Sequence, residues 1–442
     1  MVKTLKYILV LLISILISDI AISSTNFNDR IEQYQLKNGL KIILISDNRS
    51  PIVMSSVWYK VGSSYEYEGI TGISHILEHM MFKGTENTKP GEFSREIKKI
   101  GGTENAFTGK DFTGYYQKVH KDYIELCLKL ESDRMINLNL SENDLKSERE
   151  VVKEERRLRT EDNPISKIFE KIGLQIFGFN GYGIPIIGTM DDINAITIED
   201  LKKWYSNYYV PNNATLIIAG SFNKKETKKL IQKYYGKIER KSVKKFSKKD
   251  TLQTSYKDIL LKDNVSDPIL VLSFRKEPFT NINRKESYAL EILFELMDGA
   301  YSSRFTTNLV DKQIAFNTFI SYDTYSKENN LVAIGGSPRE NVSVDKLKRL
   351  IIKEFDNFIK KGLKDNELEY TKSRLIAHNV YKFDSIFYQA MQVGVLETKG
   401  FNWQLLDQYI IDIESITEQD LINVAKKYIV EDYILTSIIN PL

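Results

Sequence analysis

Ile196-Thr197-Ile198-Glu199-Asp200-Leu201 and Ile416-Thr417-Glu418-Gln419-Asp420-Leu421 are one helix start written twice, and their reading decides the fold. In each, a threonine stands where a helix N-cap is expected. Acidic residues fill the first turn, where they meet free backbone N–H groups and the positive end of the helix dipole. Each predicted helix runs to a tyrosine, Tyr208 or Tyr428, and is followed by an apolar strand pattern, at 214–219 or 434–439. A second echo pairs Ser141-Glu142-Asn143-Asp144-Leu145 with Lys364-Asp365-Asn366-Glu367-Leu368, each opening a long charged helix. Both echoes recur after rather more than two hundred residues, so the repeating unit is domain-sized. Strand patterns at 40–45, 53–61, 269–274 and 331–335 alternate with long helical ones. The expectation is an α+β chain made of two homologous α+β domains of like topology, each a mainly antiparallel sheet packed with helices. The domains are placed at 25–236 and 256–442, with 237–255 as linker and its Lys-rich part, Lys237 to Lys249, as the expected hinge.

The chain has 442 residues, enough for two or three domains that each bury a core. Its formal charge of +3 comes from 62 basic and 59 acidic residues spread throughout, which leaves no electrostatic footprint for nucleic acid. Lys3 and Lys6 precede an apolar run at 7–17 and the small-residue stretch Ala21-Ile22-Ser23-Ser24. That order describes a secretory signal peptide over residues 1–24, and the run falls short of the roughly 20 apolar residues a comfortable span needs. A periplasmic mature chain without a membrane span is expected, in preference to an uncleaved anchor. The single cysteine, Cys127, lies in an amphipathic helical pattern and reads as a core residue. Export without an intramolecular disulfide leaves stability to the cores.

Only four histidines occur, and two fall in His75-Ile76-Leu77-Glu78-His79. The run from Gly72 to Phe82 has helical spacing, with Ile73, Ile76, Leu77, Met80 and Met81 available for packing. On that helix His75 and His79 are one turn apart on one side, where two imidazoles can share a tetrahedral zinc. Glu78 comes over the same face. A zinc hydrolase needs a metal to polarise the scissile carbonyl and acidify a water, and a base to take that water's proton and pass it to the leaving group. His75 and His79 serve the first need and Glu78 the second; the order H-x-x-E-H is a distinct class of zinc peptidase motif. A third protein ligand is still required. The charged helix Glu148-Arg149-Glu150-Val151-Val152-Lys153-Glu154-Glu155 is the richest source of one. Glu148 and Glu155 lie two turns apart on one face, and the residues alone do not choose between them.

At these residues the chain resembles the pitrilysin/insulinase superfamily of zinc peptidases, in particular its half-length branch of processing peptidases, over essentially everything after residue 24. The resemblance implies that Glu155 is the third ligand, in an E-R-x-V-x-x-x-E helix, and that Glu148 stands behind the ligands and orients them. Gly101-Gly102-Thr103-Glu104-Asn105-Ala106-Phe107-Thr108 looks like the family's edge strand, which implies that Asn105, Ala106 and Phe107 bind an extended peptide by strand addition. Tyr208-Tyr209-Val210-Pro211-Asn212-Asn213 is similar to the family's junction into its last strand. The chain departs from the family pattern at Asn180-Gly181-Tyr182-Gly183, where a histidine-proline-tyrosine is common. It departs again where active single-chain members carry an Arg and a Tyr that stabilise the substrate oxygen. Those positions here are Val310 and Phe316. The implied function is a zinc endopeptidase acting on extended peptides in a closed chamber. The implied partner is a homologous subunit without zinc that supplies the Arg/Tyr pair in a heterodimer, with a homodimer as the other arrangement. The competing expectation is a non-catalytic scaffold of the same fold.

Overall fold

Runs rich in Ile, Val and Leu build two sheets in the computed structural model, which describes residues 27–243, 256–280 and 283–442. The expected signal peptide and most of the expected linker lie outside the described residues. The first sheet contains β1 (Ile31–Gln35), β2 (Lys41–Ser46), β3 (Ile52–Tyr59), β4 (Thr103–Thr108), β5 (Thr113–His120) and β6 (Ala214–Gly220), in the order β1-β2-β6-β3-β5-β4. The second contains β7 (Ile259–Asp263), β8 (Ile269–Lys276), β9 (Ala315–Ser321), β10 (Asn330–Pro338) and β11 (Leu435–Pro441), in the order β7-β11-β8-β10-β9. In both, the last strand of the half inserts into the sheet, parallel to one neighbour and antiparallel to the other. Burial on both faces explains why β6 reads Ala-Thr-Leu-Ile-Ile-Ala-Gly without alternation. Apart from the extra β1, the sheets match strand for strand, and the fold is the expected pair of α+β units.

The helices that place the site are α1 (Ile73–Met80), α2 (Glu142–Arg156), α3 (Pro164–Phe177), α4 (Ile198–Tyr208), α5 (Arg284–Asp298), α6 (Ile386–Thr398) and α7 (Glu418–Tyr428). The repeated helix starts form the same capping box twice. Thr197 and Thr417 accept from the N–H of Asp200 and Asp420 at 3.2 and 3.3 Å, and each aspartate accepts from its threonine's N–H at 3.0 and 2.8 Å.

One face of the first sheet is covered by α1, α4 and their neighbours, and one face of the second by α5 and α7. The other two faces are covered by exchange. From the second half, α6 lays Ala390, Val393 and Leu396 on Ile43, Met54, Trp58 and Ile217 of the first sheet. From the first half, α3 lays Ile168, Ile172 and Ile176, one turn apart, on Val271, Ala333, Leu435 and Ile439 of the second. At about 1.5–3 kcal/mol for each large apolar side chain buried, these layers tie the halves together strongly. Lys41 and the buried Glu397 add an ion pair across the first layer, 2.5 Å apart. Of the expected linker, residues 237–243 are described. Ile238 is buried, Asn38 donates to its carbonyl at 2.8 Å, and Asn212 and Lys241 exchange hydrogen bonds of 2.8 and 3.0 Å. A hinge at this segment that parted the halves would expose both apolar layers.

Candidate metal centre

The first turn of α1 is fixed by carboxylates that come from outside the helix. Glu66, almost wholly buried, accepts from the N–H of Gly72 at 2.6 Å and of Ser74 at 2.9 Å. Burial pushes its carboxyl up to about 7, against those two hydrogen bonds. Asp192 accepts from the N–H of Gly69 and Thr71 and from the Thr71 hydroxyl. Gly72 has φ +88°, and a Cβ there would stand 2.5 Å from the Ile187 carbonyl, so a glycine lets the helix start meet the loop after Tyr182. Ile73, Ile76, Leu77 and Met80 enter the first core. His75, Glu78 and His79 occupy the opposite face and open on a cavity of about 860 Å³.

From α2, Glu155 reaches the same cavity, and one ligand atom from each of His75, His79 and Glu155 lies within 4.8 Å of the others. The Glu155 Oε2 atom is 3.3 Å from His79 Nε2 and 3.8 Å from His75 Nε2. Zinc bonds of about 2.1 Å in a tetrahedron separate neighbouring donors by about 3.4 Å, so Glu155 stands near ligand spacing from both rings, and small side-chain shifts would close the three donors on one ion. Glu148 turns away from that triangle to His79 Nδ1, at 3.1 Å, and its second oxygen meets Lys83 Nζ at 2.5 Å. A carboxylate on the far nitrogen fixes the ring and frees Nε2 for metal. The two glutamates that spacing could not separate thus contact different atoms of the same imidazole.

Burial, and after it the charge of His79, drives His75 down to about 4. Burial opposes the charge on His79 too, but hydrogen bonds to Glu148 and Glu155 carry it up to about 9. The hydrogen bond from His79 holds both glutamates below the ordinary carboxylate range. One cation between two carboxylates is thus favoured here, which is the charge balance a divalent ion would take over with release of a proton. Glu78 is shifted upward by burial, against a hydrogen bond from Thr108.

The outermost strand of the first sheet, β4, pairs among the described residues with β5 alone and lines the cavity with its other side. Asn105, Ala106 and Phe107 are therefore brought together with the His–Glu cluster. Asn105 is exposed, and its side chain accepts from the Ala106 N–H at 2.9 Å. Phe107 packs edge-on to Trp58, with ring centroids 4.9 Å apart. Facing β4 across the cavity are Phe169 and Phe177 of α3, together with Leu331 of β10 from the second half. Val310 and Phe316 do not line this cavity; Phe316 lies under the Arg339 guanidinium, 4.2 Å from its ring centre. Arg304, in the same stretch, is held by Glu367 and the Gly362 carbonyl.

Sequence reading missed Glu66, Lys83, Thr108 and the α3 wall. Glu66 and Thr108 act across space on α1, and no local spacing announces such contacts. For α3 a signal existed, in Phe169 and Phe177 two turns apart, but it does not say which cavity they face.

A family model described as insulinase (peptidase family M16) matches residues 41–190, and one described as peptidase M16 inactive domain matches residues 195–375. The zinc protease PqqE of Helicobacter pylori is 30% identical over 432 residues, which cover 93% of this chain and 93% of that protein. The zinc protease YmxG of Bacillus subtilis, itself uncharacterised, is 27% identical over 93% of this chain and 98% of its own length. The crystal structure of a protease from Helicobacter pylori superposes with a TM-score of 0.86 at 28% identity, covering 93% of this chain and 99% of that one. The chain belongs to the insulinase family of peptidases, M16, and its relatives include proteins named as zinc proteases.

Proposed function

We propose that the chain is a zinc-dependent endopeptidase that hydrolyses extended peptides or unfolded segments, with His75, His79 and Glu155 as ligands and Glu78 as the base. The observation that carries this is one cavity wall on which the three ligand atoms, the half-buried Glu78 carboxylate and the outer side of β4 meet. Zinc held there would polarise the scissile carbonyl and make a water acidic enough to react near neutral pH. Glu78 is placed to take the proton of that water as its oxygen adds to the carbonyl carbon. It returns the proton to the amine as the C–N bond breaks. The outer edge of β4, from Asn105 to Phe107, would hold the substrate main chain extended, with the Ala106 N–H exchanging its bond to the Asn105 side chain for one to the substrate. Glu148 keeps the His79 ring aimed, and the upward shift of Glu78 suits a group that must both accept and release a proton.

The oxyanion that develops in hydrolysis needs donors, and Val310 and Phe316 offer none from their side chains. We therefore assign this chain the metal-bearing role in a pair, with the missing donors coming from a homologous zinc-free subunit or a second copy. The helix exchange supports this reading, because neither half can swing over the cavity without uncovering a sheet. The N-terminal sequence supports export to a periplasm-like space; among the described residues no helix is long and apolar enough to cross a membrane.

The test is cleavage of an extended quenched-fluorescence peptide by the zinc-loaded complex purified through this chain, beside E78Q. Loss of at least about 10²-fold in kcat with zinc retained is expected for E78Q. Equal turnover by both would remove Glu78 from the reaction.

A further inference from the structure

The carboxylate of Glu78 is held by a residue of the peptide-accepting strand itself. The Thr108 hydroxyl, at the last position of β4, donates to Glu78 Oε2 at 2.5 Å. A threonine has few χ1 choices, so the direction of that hydroxyl follows the backbone at Thr108. The backbone there is fixed from several sides. Thr108 pairs with Thr113 across the turn into β5, which the Gly109 N–H closes onto the Phe112 carbonyl at 2.8 Å. Ser63 and Ser64 donate backbone N–H groups to the carbonyls of Gly109 and Lys110 at 3.2 and 2.8 Å. They lie so close that a Cβ on Gly62 would sit 2.2 Å from the Gly109 oxygen. Asp111, in the same turn, accepts from Ser64 Oγ at 3.2 Å and from the Tyr182 hydroxyl. Tyr182 in turn accepts from the Lys327 N–H of the second half at 3.1 Å.

We propose that Thr108 is a positioning residue, whose hydroxyl holds the Glu78 carboxylate in register with the strand on which the substrate lies. One carboxylate oxygen is occupied by the threonine, and the other is left for the proton in transit. A peptide paired to β4 then meets a base whose location is set by the same strand, so alignment of the scissile bond and alignment of the base are one adjustment. Catalytic geometry of this kind is sensitive to displacements near 1 Å. A charge-assisted hydrogen bond is strong enough to select one carboxylate rotamer. This rests on the peptidase reading above.

The experiment compares wild type, T108V and T108S as the zinc-loaded complex, reading kcat, KM and zinc content separately. Valine keeps the shape and the χ1 restriction and removes the hydroxyl; serine returns it. T108V should lose about tenfold in kcat with KM and zinc content unchanged, and T108S should recover most of that loss. A T108V kcat within about twofold of wild type, equal losses in valine and serine, or loss of zinc from T108V would each overturn the proposal. If T108V fails to fold, T108A removes the same hydroxyl and is read by the same criteria. A zinc-loaded wild-type complex that cleaves nothing overturns the peptidase reading and this inference together; a cleaving wild type beside an undiminished T108V overturns this inference alone.

Discussion

The two halves of the molecule share strand order, the same capping box and the same inserted last strand, yet only one holds a His–Glu cluster among the described residues. In the first half the helix that follows β3, α1, turns one apolar face to the core and a His/Glu face to the cavity. In the second half the helix that follows β8, α5, buries Tyr288, Leu290, Ile292, Leu293, Phe294 and Met297, carries no histidine, and has its glutamates Glu291 and Glu295 engaged by Thr324, Tyr409 and Arg374. The matching of residues 195–375 to a family model described as an inactive domain agrees with that contrast. The difference teaches that the fold does not make the site. In the second half the equivalent helix offers no histidine, and among the described residues that half meets the cavity through Asn330 and Leu331 at the start of β10.

The exchanged helices offer the largest test of the comparison, because one glycine in each is placed differently. A Cβ on Gly394 of α6 would stand 2.1 Å from Trp58 Cε2, whereas a Cβ on Gly173 of α3 would meet its nearest atom, the Gly183 oxygen, at 3.7 Å. G394A should therefore lower the unfolding free energy by about 3 kcal/mol through overpacking of the first exchanged layer. G173A should be neutral or gain up to about 1 kcal/mol from helix propensity. Denaturant melts of the two variants check this, and equal effects would mean that the two layers are not packed as described.

The second half has a buried charge of its own that sharpens the comparison at a smaller scale. Lys276, at the end of β8, is fully buried, and its Nζ has no hydrogen-bond partner among the described residues; it lies over the Tyr322 ring at 5.6 Å, and the charges of Asp323, Glu286 and Glu277 offset its burial in part. Burial lowers its pKa to about 8. The folded chain therefore binds this proton less tightly than the unfolded chain, in which an ordinary lysine titrates near 10.4. The penalty is complete below about pH 8 and is relieved as the pH rises toward 10.4. K276M should thus stabilise the protein by about 1–2 kcal/mol at pH 7, with the gain shrinking above pH 9. Melts at pH 7 and pH 10 measure it, and a gain that grows with pH would contradict the assignment. The half-buried cluster around His79 in the first half carries the opposite arrangement, an imidazole with a carboxylate at each of its two nitrogens.

The repeated Ile-Thr starts made the duplicated fold legible, because capping chemistry and the strand that follows are local signals and both halves kept them. The His75–His79 motif was legible for the same reason, since helical spacing alone brings the two rings to one side. Glu155 was one of two candidates on a shared face. The atoms that separate them, His79 Nδ1 for Glu148 and Nε2 for Glu155, depend on how α2 crosses α1. The exchange of α3 and α6 was not legible at all. Ile168, Ile172 and Ile176 announce an apolar stripe, but nothing in their spacing says that the stripe covers the other half's sheet. Glu66 and Thr108 stayed hidden because each reaches α1 from a separate element.

The most direct measurement is zinc stoichiometry and affinity of the purified chain by competition with a chromophoric chelator, wild type beside E155Q. The account predicts about one zinc per wild-type chain and at least about 10²-fold weaker binding in E155Q, with the unfolding transition of the metal-free proteins unchanged. No zinc in the wild type, or equal binding by both proteins, would contradict the claim that the first half alone, through His75, His79 and Glu155, is the metal-bearing half.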